Sequence, residues 1–201
     1  MSGKNGNSSD QPPAAPRAIV GATVPNPAED DSLRAPEKQI LIAGIGNAWM
    51  RDDGFGGEVI RRLEQVELPS GVRALDFGTG GLDLAYEVMR GYDALVLVDV
   101  SHQDGPAGSL YVMEPERESL AGQIEDGEII DPHGMDPQNV LRFVNMIGAW
   151  PGRVVVVACE PSDLDAAGFG LSDAVAETIG SAVELVLSTV RELRTDAAYQ
   201  T

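Results

Sequence analysis

The chain has a single cysteine, Cys159, so no internal disulfide can form. That usage is compatible with a reducing cytoplasm, the expected location. Basic residues are scarce, 14 against 32 acidic ones, and the formal net charge is −18. A chain this acidic repels phosphates, which excludes non-specific nucleic-acid binding and argues against docking on an anionic membrane. No apolar run is long enough to span a bilayer, and the N-terminus lacks the continuous apolar stretch of an export signal. What is present is 201 residues, 43% of them apolar, enough for one domain with a real core.

Residues 1–36 are rich in Ser, Asn, Pro, Gly and Ala and carry no sustained apolar period. They are expected to form a disordered extension. The folded domain is expected over 37–195, with a short tail at 196–201. Within it, QILIAG (39–44), VRALDF (72–77), DALVLVDV (93–100), SLYVME (109–114) and GRVVVVACE (152–160) read as strands. Phe55, Val59, Leu63 and Val66 recur at helical spacing, and LDLAYEVMRG predicts a second helix closing on Gly91. A third helix follows Asp136, a candidate N-cap, with Pro137 in its first turn. Ser172 is expected to cap a long final helix with the stripe Val175, Ile179, Val183, Val186, Val190 and Leu193. The order βαβαββαβα predicts an α/β fold, a three-layer αβα sandwich around a mostly parallel, twisted five-stranded sheet.

In such sheets, sites form at the C-terminal ends of the strands. The first strand runs into Gly44-Ile45-Gly46-Asn47, with Asp52 and Asp53 close behind. The second ends in DFGTGG, the third at Asp99 and the fifth at Cys159-Glu160-Pro161. His133 lies in the loop before the third helix. A dinucleotide fingerprint needs a third glycine where Trp49 stands, and Asp52 and Asp53 would oppose a pyrophosphate. Two carboxylates and an imidazole instead suit a borderline cation such as Zn, Ni, Mn or Fe. Each residue also has a plainer role. Asp53 can favour the positive end of a helix, and a loop histidine is commonly just solvated. His102, three residues past Asp99, is an equally good imidazole by proximity. Asp99 is harder to dismiss, because a carboxylate ending the run LVLVD is costly unless it is partnered. Cys159 reads as a packing residue.

Taken together, these motifs resemble the nickel–iron hydrogenase maturation proteases. The ordered set is GIGNAWMRDDGFG, DFGTGG, LVLVD, DPHGMD, ACEP and GFGLS, running from about residue 39 to about 194. The resemblance implies the αβα fold of phosphorylase/hydrolase-like proteins. It also implies an endopeptidase that removes the C-terminal extension of a hydrogenase large-subunit precursor after nickel insertion. It places the metal-recognising and catalytic residues at Asp53, Asp99 and His133, which leaves His102 a bystander. Substrate choice is placed in the turn Asp76, Phe77, Gly78, Thr79, Gly80 and Gly81. Nickel is expected to arrive with the precursor, with no organic cofactor, and the protease is expected to be a monomer. Two departures stand out. Phe77 replaces a glycine, and Asp131 precedes Pro132 where a small polar residue is common. The alternative expectation is a nickel-dependent checkpoint or chaperone that binds the large subunit without cutting it.

Overall fold

The computed structural model describes residues 37–120, 137–164 and 166–196. The expected N-terminal extension (1–36), Asp131, Pro132, His133 and Asp136 lie outside the described residues.

Five strands form one sheet: β1 (Ile40–Ile45), β2 (Val72–Gly78), β3 (Ala94–Val100), β4 (Leu110–Met113) and β5 (Arg153–Cys159). Their spatial order is β2-β1-β3-β5-β4. The pairs β1–β2, β1–β3 and β3–β5 are parallel, and β4 runs antiparallel along β5. The central strands are almost wholly apolar because both of their faces are covered. Every residue of β1 and β3 is buried, Asp99 included.

The two faces sort by strand alternation. One carries Ile40, Ile42, Val96, Val98, Val155 and Val157 and packs against α1 (Phe55–Leu63) and α5 (Ile179–Thr195). The other carries Leu41, Ala43, Leu95, Leu97, Val154 and Val156 and packs against α2 (Gly81–Val88) and α3 (Pro137–Met146). The three-layer αβα expectation therefore holds. In α1, Phe55, Val59, Ile60 and Leu63 are almost wholly buried, each contributing on the order of 2 kcal/mol relative to exposure.

Two local expectations are corrected. Val66 is not part of the first helical stripe: α1 ends at Leu63, and Val66 is 40% exposed in the turn that follows. Nor does Ser172 cap one long helix. A four-residue helix, α4 (Asp173–Ala176), is followed by a turn and then by α5. The Ser172 side chain makes no capping bond to α4, and its hydroxyl donates to Asp52 at 2.9 Å, a charge-assisted bond. The apolar stripe survives the break, since Val175 and Ile179 are both buried.

The strand order creates a switch point. From β1 the chain moves outward to β2, then crosses back to β3 on the other side of β1. The crevice beyond the C-terminal ends of β1 and β3 is where such sheets bind ligands. Asp53 follows β1, and Asp99 is the penultimate residue of β3.

Candidate active site

Beyond β1 the chain turns at Gly46, whose φ is +121°. Its N–H donates to the Gly78 carbonyl at 2.9 Å, tying this turn to the end of β2. A Cβ at Gly46 would lie 1.9 Å from the Asp53 carbonyl oxygen and 3.4 Å from Asp99 Oδ1. Gly46 is thus the spacer across which the Asp53 main chain meets the Asp99 carboxylate, and no side chain fits there. Gly56, in the first turn of α1, makes a second close approach. A Cβ there would lie 2.3 Å from the Ile45 carbonyl oxygen and 2.5 Å from that of Val98. The start of α1 is pressed onto the ends of both strands, and Asp53 is carried to the crevice with it.

The Asp53 carboxylate accepts the Asn47 N–H at 2.8 Å. That amide is one a phosphate would need at a glycine turn, and the protein fills the position with its own acid. Burial pushes the Asp53 carboxyl above its ordinary pKa, and the Asn47 hydrogen bond offsets this only in part. Asp99 is 4% exposed, and its Oδ1 accepts the Val100 N–H at 2.7 Å.

Asp52, adjacent to Asp53, does something different. It is fully buried. Its Oδ2 accepts the N–H groups of Ser162 and Asp163 at 2.8 and 2.9 Å and the Ser172 hydroxyl at 2.9 Å. Its Oδ1 accepts the Ser172 N–H at 2.6 Å. Burial alone would raise its pKa, but these four donors outweigh it and hold the carboxyl below the ordinary value. Asp52 clips the 3-10 turn at Arg51–Gly54 to the segment after β5, and so fixes the turn from which Asp53 projects.

The expected substrate turn is built from its own main chain. Asp76 Oδ1 accepts the Gly78 N–H at 2.9 Å, and the Gly80 N–H donates to the Phe77 carbonyl at 2.8 Å. The Gly81 N–H donates to the Thr79 carbonyl at 3.0 Å. The left-handed position is Gly78, with φ +52°, not Phe77. Phe77 therefore costs the turn no strain, and its ring packs against the α2/α3-side core. Asp76 reaches across to α1, where a Cβ on Gly57 would lie 3.0 Å from its Oδ2.

The fold thus gathers Asp53, Asp99 and Gly78 of the Asp76–Gly81 turn around Gly46. His133 lies outside the described residues. Among the described residues, no group of three His, Cys, Asp or Glu is arranged to hold a metal ion. His102 is exposed, with its Nδ1 3.3 Å from Glu160 Oε1. Glu160 is buried and also accepts the Gln103 N–H at 2.8 Å and the Tyr111 hydroxyl at 3.0 Å. Cys159 is fully buried, and burial raises its thiol pKa, so it is no reactive thiolate.

The family model described as "Hydrogenase maturation protease" matches residues 58–189, well over half of the chain. The chain belongs to the hydrogenase maturation protease family. It is 32% identical over 160 residues to the hydrogenase expression/formation protein HupD of Rhodobacter capsulatus, covering 79% of this chain and 72% of that protein. It is 30% identical over 162 residues to the hydrogenase 2 maturation protease of Escherichia coli, covering 79% and 94%. Among solved structures, the hydrogenase maturating endopeptidase HybD from E. coli superimposes with a TM-score of 0.61 at 28% identity, covering 77% of this chain and 93% of HybD. For a hydrogenase maturation protease, sequence reasoning had missed two residues that the structure brings out. Asp52 and Glu160 are buried acceptors whose donors lie mostly far along the chain. Asp52 gave only the signal of being one of an acidic pair, and Glu160 only that of ending a buried strand. No described helix is long and apolar enough to cross a membrane.

Proposed function

We propose that this maturation protease removes a C-terminal extension from the large-subunit precursor of a nickel–iron hydrogenase. In this reading Asp53, Asp99 and His133 complete the coordination of nickel already carried by the precursor, so the metal is part of the substrate. The observation that carries the reading is the juxtaposition of Asp53 and Asp99 across Gly46 at the sheet's switch point. Their carboxylates are hard oxygen donors, which suit a partly coordinated divalent cation. Hydrolysis adds one water across one peptide bond, the hydroxyl to the carbonyl carbon and the proton to the departing nitrogen. The acidic crevice repels phosphate, in keeping with a peptide substrate.

The test is a processing assay with the purified protein and its precursor, with and without nickel loaded, read by mass spectrometry. Loss of a C-terminal peptide only from the nickel-loaded precursor is expected. Nickel-dependent association without cleavage would make the protein a checkpoint, and neither cleavage nor association would overturn the reading.

A further inference from the structure

Trp49 and Phe169 are 54% and 69% exposed, yet their rings meet edge to face with centroids 4.4 Å apart and planes at 87°. Isolated exposed aromatics are unremarkable, but this pair is held rigidly. Met50 and Gly168 form a parallel β-bridge. The Gly168 N–H donates to the Trp49 carbonyl at 2.8 Å, and the Arg51 N–H donates to the Gly168 carbonyl at 3.1 Å. The Trp49 N–H is taken by Asn47 Oδ1 at 3.0 Å. Rigid aromatic surface that the protein leaves uncovered is what anchors a partner at low entropic cost.

Phe169 also forms the lip of a groove of about 350 Å³ whose lining joins Ala48, Ile60 and Leu171 to Asp76 and to charged residues of α1 such as Glu58 and Arg61. One wall is the same 48–54 segment that carries Asp53, and Asp76 of the expected substrate turn contributes to its lining. The groove therefore adjoins the segment that carries Asp53, although Asp53 and Asp99 do not line it. Its volume lies at the small end of ligand clefts, which run from about 300 Å³ upward. That suits one or two side chains of an extended segment. A second copy of this chain is a poor occupant, because each copy carries −18.

We infer that Trp49 and Phe169 are specificity-determining residues: they seat a bulky apolar side chain of an extended precursor segment next to the bond to be cut. This inference rests on the protease reading above and adds the chemistry of the segment it takes.

The experiment uses the full chain labelled with 5-fluorotryptophan. The sequence has two tryptophans, Trp49 and Trp150, and Trp49→Phe assigns the two fluorine signals. Adding unlabelled, nickel-loaded precursor is expected to shift the Trp49 signal and leave that of Trp150 in place. Trp49→Ala and Phe169→Ala are each expected to lower kcat/KM about tenfold while kcat at saturation stays within about twofold, as loss of a binding anchor does. Val112→Ala, which trims an exposed apolar residue on the edge strand β4, is expected to change neither. Normal processing with an unmoved Trp49 signal, or with unimpaired variants, would overturn this inference and leave the protease reading standing. A wild-type protein that neither binds nor cleaves the precursor would overturn both.

Discussion

Replacing Asp52 with alanine removes one carboxylate and strands three main-chain N–H groups, those of Ser162, Asp163 and Ser172, together with the Ser172 hydroxyl. Each buried donor left without a partner costs about 1–3 kcal/mol. The four bonds share one acceptor group, so their losses do not add, and a water entering the space would rescue part of the total. The expected net destabilisation is about 3–5 kcal/mol. For a domain of this size that corresponds to a fall in melting temperature of about 6–20 °C, readable by calorimetry or circular dichroism. Because the same clip holds the turn carrying Asp53, processing at a temperature where the variant is still folded is expected to fall as well. Asp52 also sets a pH dependence. Its folded pKa lies below the ordinary 3.8, so it binds fewer protons folded than unfolded. Its contribution is complete above that ordinary value and is lost as pH falls through the folded pKa. Asp52→Asn keeps the size but cannot ionise, so its acid-side loss of stability is expected to be shallower than the wild type's. A melting temperature within about 2 °C of wild type for Asp52→Ala, no more than about 1 kcal/mol brings at this size, would refute the clip.

Other consequences are equally direct. His133→Ala is expected to abolish processing while His102→Ala stays within about twofold of wild type, since His102 is exposed and engaged with Glu160; the reverse pattern would assign the other imidazole. Gly46→Ala places a methyl group 1.9 Å from the Asp53 carbonyl oxygen at φ +121°, and is expected to abolish processing and lower the melting temperature by more than about 5 °C. Burial works to raise the pKa of Glu160, but its donors, Tyr111 among them, hold it below the ordinary value. Removing that hydroxyl in Tyr111→Phe lets the folded pKa rise, so the midpoint of acid unfolding is expected to move to higher pH. Deleting residues 1–36 is expected to leave cleavage of the precursor intact in the same mass-spectrometric assay.

The strands were readable because of where they lie. Covered on both faces, the central strands have no polar alternation to blur their edges, and β1, β3 and β5 fall within one residue of the runs QILIAG, DALVLVDV and GRVVVVACE. The rejection of a nucleotide site rested on Trp49 standing where a third glycine belongs, and the structure supplies the reason the first two glycines remain. They are there for close packing, with Gly46 against Asp53 and Asp99, and Gly44 against the Gly56 carbonyl oxygen at a Cβ distance of 2.6 Å. What could not be read was which member of an acidic pair does which job. Asp52 and Asp53 are the same residue type on the same 3-10 turn, and every local rule treats them alike. They differ only in what arrives from 110 to 120 residues away: Ser162, Asp163 and Ser172 close around one, and the other stays half-buried with the nearby Asn47 N–H. The same long-range meeting misled the reading of Ser172, whose position before a helix is a local cue for an N-cap. Its hydroxyl is turned toward the buried Asp52 carboxylate, and its oxygen accepts no N–H from the first turn of α4. Local chemistry thus pointed to the C-terminal edge of the sheet, while the division between Asp52, clipped to distant residues, and Asp53, held by the Asn47 N–H, is a property of tertiary packing alone.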